Sequence, residues 1–270
     1  MILEVKSADD FVTQPIWVEV SGNTLNYSPL PERLNFSQMQ ALRRPIKLPE
    51  SGSFSCKLAN LGVSAKITLA LNGKRYEILV NTPARPKVLK LISGYVPSAY
   101  LADPLSMILQ EISEECLIQT QHGFLGAAFN GLALPNAYPN ALAYGQESFA
   151  LTAIPSEYRA LYQGSALKAK PRAYIHTPTA SLQLVYEFTL NLPLSCKVAA
   201  FEHVDEHLEN GKLVVERSTQ SILYLRSSRS QCIYQYKNGH LVPVLDDELC
   251  LSEAFAPLQN WQIHQLDVPS

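Results

Sequence analysis

Alternating hydrophobic and polar positions occupy much of the chain and predict β-strands. The strongest alternation runs from Ser181 to Leu190, in the second half. Two apolar runs flank Asn72-Gly73, a dipeptide that favours a two-residue hairpin turn. Asn238-Gly239 predicts a second hairpin in the same way. The pattern therefore predicts two β-hairpins and a separate strand.

One segment follows the helical period instead. Its apolar residues are spaced three, four and seven positions apart, which predicts one helix over residues 104–117 with its apolar side against a core. They are Leu105, Ile108, Leu109, Ile112 and Cys116. Asp103-Pro104 is a typical helix start, with a side-chain acceptor at the N-cap and a proline whose missing N–H costs nothing there.

Three carboxylates follow on this predicted helix. Glu111, Glu114 and Glu115 are spaced i, i+3 and i+4, so their side chains converge within one turn. Hard oxygen ligands of this kind suit Mg²⁺ or Mn²⁺. An acidic triplet is also common on an ordinary solvated helix face, and the triplet alone leaves both interpretations open.

The composition excludes several classes of protein. Among 270 residues only 17% are charged, the net charge is −2, and the lysines and arginines are scattered, which argues against a long nucleic-acid partner. Five widely spaced cysteines without a CxxC pair argue against a disulfide framework and a structural zinc site. The N-terminus does not have the pattern of a signal peptide, and no apolar run approaches the ~20 residues of a membrane helix. We expect a cytoplasmic protein with no membrane partner; homodimerisation stays open.

The acidic helix and its surroundings resemble the signature of Nudix hydrolases. In that family a glycine-led loop and a helix end in Arg-Glu-apolar-x-Glu-Glu-x-Gly-apolar, and here residues 110–118 read Gln-Glu-Ile-Ser-Glu-Glu-Cys-Leu-Ile. The order before it, a hairpin, a strand, a glycine and the acidic helix, is also the order of the family. Four positions depart from the signature: Gly94 lies two residues too far upstream, and Ala102, Gln110 and Leu117 replace a glutamate, an arginine and a glycine.

The resemblance implies an α+β fold with a Nudix-like mixed β-sheet and packed helices, extended by β-rich segments at both ends. The expected division is an N-terminal extension at 1–60, a Nudix-like domain at 61–225 and a C-terminal hairpin extension at 226–270. Within the domain, residues 132–172 are punctuated by prolines and predict a long insertion with one short helix near Ser156. Its tyrosines either stack on a base or pack the insertion against the core.

The resemblance also implies a function. Glu111, Glu114 and Glu115 would bind Mg²⁺ or Mn²⁺, Glu111 would be catalytic with Gln110 as a weakened orienting residue, and Gly94 would contact the substrate. The expected activity is slow hydrolysis of a nucleoside diphosphate linked to another moiety, so the partner would be a small phosphorylated nucleotide derivative. The alternative is an inactive Nudix-like module that binds a ligand or a protein, which the altered positions favour.

A further acidic residue often completes the Nudix site, and several lie in residues 199–217, a polar segment that we expect to be helical. The candidates are Glu202, Asp205, Glu206 and Glu209. The same segment contains His203-Val-Asp-Glu206-His207, which matches the bare HxxEH pattern of some zinc proteases. Without other support for a zinc site, the pattern favours a charged, exposed helix face.

Overall fold

The structure is a computed structural model that describes residues 1–7, 10–49, 52–82, 84–246 and 248–252. These ranges contain two α-helices, α1 (Phe36–Leu42) and α2 (Pro104–Glu115). In chain order the strands are β1 Ile2–Ser7, β2 Val12–Thr13, β3 Ile16–Ser21, β4 Thr24–Pro29, β5 Leu34–Asn35, β6 Phe54–Leu58, β7 Asn60–Leu71, β8 Lys74–Thr82, β9 Arg85–Lys90, β10 Ile92–Tyr95, β11 Cys116–Thr120 and β12 Gly123–Phe129. They continue as β13 Leu132–Ala133, β14 Tyr144–Ile154, β15 Arg159–Tyr162, β16 Ser165–Ala166, β17 Arg172–His176, β18 Ser181–Asn191, β19 Val198–Glu209, β20 Lys212–Ser227, β21 Ile233–Lys237, β22 His240–Pro243 and β23 Cys250–Leu251.

Eight of these strands form a closed, barrel-shaped sheet. Around the ring the order is β7, β8, β20, β19, β11, β12, β14 and β18, and β18 pairs again with β7. The pairing of β20 with β8 closes the ring and places Leu225 opposite Ile78 and Arg226 opposite Glu77. The pairs β12–β14 and β18–β7 are parallel, and the other pairs in the ring are antiparallel. Closure removes the open edges that a flat sheet would present to solvent.

The predicted alternation explains the core of this sheet. Every second residue of β7 and of β18 is fully or almost fully buried, because successive side chains of a strand point to opposite faces. These residues are Leu61, Val63, Ala65, Ile67 and Leu69 on β7, and Leu182, Leu184, Tyr186, Phe188 and Leu190 on β18. Both predicted Asn-Gly hairpins are present. Asn72 and Gly73 have positive φ angles of 51° and 72°, which a tight hairpin turn of this kind requires.

A second sheet has five strands, in the order β16-β15-β4-β3-β6: the N-terminal segment supplies β3, β4 and β6, and residues 159–166 supply β15 and β16. Two buried hydrogen bonds attach the N-terminal segment to the chain just before α2: the Thr13 hydroxyl donates to the Val96 carbonyl at 2.8 Å, and the Tyr27 hydroxyl donates to the Leu101 carbonyl at 2.7 Å. The N-terminal segment is therefore fixed beside the start of the acidic helix.

Helix α2 is present as predicted, but it ends at Glu115 because Cys116 already belongs to β11. Leu105, Ile108 and Ile112 are buried and belong to the main hydrophobic core. Pro104 is the first helical residue, as expected. The Asp103 side chain does not cap the backbone; it accepts a hydrogen bond from the Ser106 hydroxyl at 2.8 Å instead.

The predicted α+β fold class, with helices packed on a Nudix-like sheet, is wrong. Strands make up 58% of the structure and helices 11%, and the main sheet is closed. Two segments account for the error. Residues 199–217, expected to be helical, lie mostly in β19 and β20, and the expected short helix near Ser156 is replaced by β14 and β15.

The helical interpretation of 199–217 failed for a physical reason. On β19 the polar residues His203 and Asp205 are buried, so the strand does not alternate between apolar and polar residues in the usual way. A strand whose inward side chains are polar is not recognised by hydrophobic periodicity. HxxEH is therefore part of a strand, and His203 is not on an exposed helix face.

The division into an N-terminal extension, a central domain and a C-terminal extension stays a prediction. Residues 253–270 of the last part lie outside the described residues. Within the described ranges, no helix has the length and apolar character needed to cross a bilayer.

Candidate functional site

A cavity of about 560 Å³ lies beside α2 and is lined by acidic, cationic and aromatic side chains. One side is acidic and comes from α2 and β19; the other is cationic and aromatic and comes mainly from the N-terminal segment, β9 and β10. The acidic residues from these two elements are Glu111, Glu114, Glu115, Asp205 and Glu206. Segments that are far apart in the sequence, the N-terminal segment, α2 and β19, therefore contribute to one concave site.

The helical spacing of the carboxylates brings all three glutamates of α2 to this cavity, as predicted. Glu111 is buried, whereas Glu114 and Glu115 are partly exposed. The Gln110 amide donates to Glu114 at 2.8 Å and not to Glu111. The expected role of Gln110 in orienting Glu111 stays a prediction.

Strand β19 supplies the second group of acids because β11 continues directly from α2 and pairs with β19. Cys116 is opposite His203 in this pairing, which puts Glu115 next to His203, with 3.3 Å between Oε2 and Nε2. The other ring nitrogen of His203, Nδ1, is buried and has no hydrogen-bond partner among the described residues. Of the four downstream acids named as candidates, Asp205 and Glu206 line the cavity; Glu202 instead pairs with Arg217.

Crowding of the carboxylates changes their acid strength. Burial, then Glu115, Glu114 and Glu206, raise the pKa of Glu111 well above its usual value, while Lys90 opposes the shift. Partial loss of hydration raises the pKa of Glu206 to about 7, with Lys6 opposing and the two exposed glutamates of α2 adding to the shift. With this pKa, Glu206 is suited to exchange a proton near neutral pH, as general acids and bases do.

Lysines balance part of this charge. Burial lowers the pKa of Lys6, but Glu114, Glu4 and Glu206 outweigh it, so that the pKa rises overall. Burial also raises the pKa of Asp205, against the opposing effects of two histidines and Lys90. The ammonium groups of Lys6 and Lys90 thus lie close to the acids. They would attract an anion that the acids alone would repel.

Gly94 faces Glu111 across the site. A β-carbon built on Gly94 would lie 2.0 Å from Glu111 Oε1, a distance that real atoms do not reach. Gly94 is in β10, opposite Val63 of β7. Its lack of a side chain therefore creates the space for the buried carboxyl of Glu111. Contact with a substrate, the role that the sequence predicted for Gly94, stays a prediction.

We expect Gly94→Ala to displace the Glu111 carboxyl and to cost about 1–3 kcal/mol of unfolding free energy, the usual range for overpacking a core. Urea denaturation measures the cost, and carbon-13 NMR of the glutamate carboxyls measures the expected return of the Glu111 pKa toward its ordinary value. In a Glu111→Ala background the added methyl has no carboxyl to meet, so the cost should disappear. Equal stability and an unchanged Glu111 pKa in the single variant would contradict this packing.

An aromatic cluster forms the opposite wall. Phe11, Phe36 and Tyr95 meet edge to face with ring centroids 5.8–6.3 Å apart. The Arg43 guanidinium lies 5.0 Å from the centre of the Tyr95 ring and donates to the Tyr95 hydroxyl. Capping of α1 by Asn35 fixes the helix that ends just before Arg43. Cations and π-faces on one wall are suited to an anionic ligand that carries a planar ring.

Sequence reasoning missed this wall. Its residues come from separate segments, none of them part of a motif, and only the fold brings them together. They are Lys6, Phe11, Phe36, Arg43, Lys90 and Tyr95. The insertion tyrosines suggested for base stacking instead pack against the protein: Tyr138 and Tyr144 against a small cluster around Leu117, and Tyr158 and Tyr162 against the main core.

The acidic side fits a divalent cation by its chemistry. It offers several hard carboxylate oxygens whose mutual repulsion raises the Glu111 pKa, and a cation between them would relieve that repulsion. No three His, Cys, Asp or Glu side chains in the described ranges are already close enough together to hold one ion. Binding would therefore require the glutamate side chains of α2 to rotate toward one another.

Comparison with known proteins gives little further information. No family model matches the chain, and no protein of curated function is significantly similar in sequence. Among solved structures, a MutT/nudix family protein from Enterococcus faecalis is similar over 72% of this chain, at 11% identity and a TM-score of 0.24. The similar region spans 61% of that protein's length. Similarity at this level establishes neither the fold nor the activity of the present chain.

Proposed function

We propose that the protein hydrolyses the diphosphate of a small nucleotide derivative, a nucleoside diphosphate linked to another moiety, with Mg²⁺ or Mn²⁺. The observation that carries the proposal is the cavity itself, whose lining combines five carboxylates of α2 and β19 with cations and aromatic rings. A diphosphate needs both sides: oxygen ligands for the ion that binds its phosphates, and cations that offset its remaining charge.

Glu111, Glu114 and Glu115 would hold the ion, and Glu206 is placed to complete the site from β19. The bound ion would neutralise phosphate charge and lower the pKa of a bound water. Lys6 and Arg43 are placed to contact phosphate oxygens from the opposite wall, and the aromatic cluster to contact the base. The ion would favour the charged form of Glu111, which as a carboxylate would accept a proton from the attacking water.

A second candidate is a module that binds such a ligand without hydrolysing it. Two observations favour it: the acids of the described chain do not yet converge on one point, and Gln110 bonds Glu114 where the family signature has an arginine that orients the catalytic glutamate. In this case the same cavity would bind the nucleotide, and no group would be positioned to attack it.

The test is a screen for phosphate release from nucleoside diphosphate sugars, dinucleoside polyphosphates and nucleoside triphosphates with Mn²⁺. We expect slow turnover that requires the ion and falls on the order of 10²-fold in Glu114→Gln, the size of effect that misplaced catalytic groups produce. Glu19→Gln, which changes an exposed acid of β3 outside the cavity, is the matched control and should retain full activity.

Gln110→Arg separates the two candidates. A guanidinium would add a positive charge and a bidentate donor where the Gln110 amide makes a single hydrogen bond to a carboxylate. If the site is catalytic, this variant should turn over faster than the natural protein. No turnover on any compound, together with no gain from Gln110→Arg, would leave the binding module as the function.

A further inference from the structure

A second cavity of about 550 Å³ lies next to the acidic one and differs from it in charge. Three cationic side chains line it, those of Arg43, Arg85 and Lys90, and no Asp or Glu of the described chain does so. Arg43 and Lys90 line both cavities, together with Ser93, Tyr95 and Gln183. The two cavities therefore share a wall, but the described lining of the second contains no carboxylate that would repel an anion.

Arg43 contacts Tyr95 and Gln40, but the cations of this second cavity are not paired with carboxylates in the described chain. None of the three forms an ion pair with a carboxylate in the described ranges. The Nε atom of Arg43 is buried and has no hydrogen-bond partner there. Asp246 and Glu248, which precede β23 at this side of the sheet, pair with Lys87 instead. Lys90 is near enough to Glu111 and Asp205 to affect their pKa values, so Arg43 and Arg85 are the cations left to attract an anion.

Hydroxyl donors complete the polar lining. Tyr174 is only 3% exposed and lines the cavity, where its hydroxyl can donate to a ligand. The Ser252 hydroxyl, also in the lining, is buried without a partner in the described ranges. Buried polar groups are nearly always hydrogen-bonded, so the Ser252 hydroxyl beside three cations indicates that a ligand accepts from it.

We infer that the second cavity binds the phosphate group of an organic phosphate. Phosphate matches the polar lining because it accepts several hydrogen bonds and pairs with arginine through two parallel N–H donors. The rest of the ligand would lie against the apolar lining, Leu91, Val185 and Leu251. The second cavity shares Arg43 and Lys90 with the first but does not include the glutamates of α2, so binding there is tested separately from the proposed hydrolysis.

Isothermal titration of the full chain in EDTA, with inorganic phosphate and phenyl phosphate as probes, tests the site without any metal. We expect both to bind and phenyl phosphate to bind more tightly. Arg85→Ala, which changes a residue of the second cavity alone, should weaken binding about tenfold, the loss typical of a hydrogen bond to a charged group. Tyr174→Phe removes one neutral donor and should weaken binding about fivefold.

Arg75→Ala is the control, because Arg75 is an exposed arginine of β8 that lines neither cavity. If Arg85→Ala and Tyr174→Phe bind the probes as tightly as Arg75→Ala does, the inference of a phosphate site is wrong. If the two probes bind with equal affinity, the inference that the phosphate belongs to an organic compound is wrong. Glu114→Gln should bind both probes like the natural chain. If the probes bind as expected but the hydrolysis screen shows no turnover, only the proposed hydrolysis is contradicted.

Discussion

Arg226→Met will destabilise the protein by about 3 kcal/mol, the lower end of the range for removing one partner of a buried ion pair. Arg226 Nη2 lies 2.8 Å from Glu77 Oε2, and both side chains are largely buried. The two residues are opposite each other where β20 pairs with β8, the pairing that closes the main sheet. Without the guanidinium, a buried carboxylate would lose its main counter-charge at this closure. Lys66 still favours the charged form of Glu77, which keeps the loss at the lower end.

Urea denaturation at several pH values measures this effect. Burial already raises the pKa of Glu77, although Arg226 and Lys66 oppose the shift, and loss of Arg226 will raise it further. The folded variant will hold a proton on Glu77 at pH values where the unfolded chain does not. Its deficit should therefore shrink as the pH falls from 8 toward 5. In Arg226→Met/Glu77→Leu most of the stability should return, since no buried charge remains. A deficit that the second change leaves intact would show that the ion pair is not its cause.

The sequence predicted those elements whose residues follow a local rule. The Asn-Gly hairpins, the strand from Ser181 and helix α2 each carry their own periodicity or turn residues, and all are present. Closure of the sheet has no such signature. It depends on the pairing of β20 with β8, two strands that are separated by more than a hundred residues, and neither strand indicates its partner.

The candidate site was predicted in part for the same reason. The acidic spacing on α2 is a local pattern, and the structure places all three of its glutamates at one cavity. On β19, polar residues face this cavity where a strand usually has apolar ones. Hydrophobic periodicity therefore did not predict a strand there. Arg43 and Phe11 reach the site because the N-terminal segment is attached near Val96 and Leu101, and Lys6 reaches it because β1 pairs with β20; periodicity encodes neither tertiary contact.

Divalent cations provide the second large effect. We expect Mg²⁺ or Mn²⁺ to stabilise the folded protein by roughly 2.7 kcal/mol at a hundredfold excess over its Kd, since an ion that binds only the folded state contributes RT ln(1 + [L]/Kd). The reason is the crowding at Glu111, where burial and neighbouring carboxylates disfavour the charged form that a cation would favour. Thermal unfolding with and without the ion, at matched ionic strength, measures the gain.

Glu114→Gln distinguishes a metal site from general screening of charge. Without the ion this variant should stay within about 0.5 kcal/mol of the natural chain, since losing the repulsion from its neighbours on α2 offsets losing the attraction to Lys6. With the ion it should gain little, because a hard-oxygen ligand has become an amide. Glu19→Gln, the exposed acid of β3, should keep the full gain. An equal gain in all three proteins would mean that the ions act on the surface as a whole, and that the carboxylates beside α2 do not hold a metal.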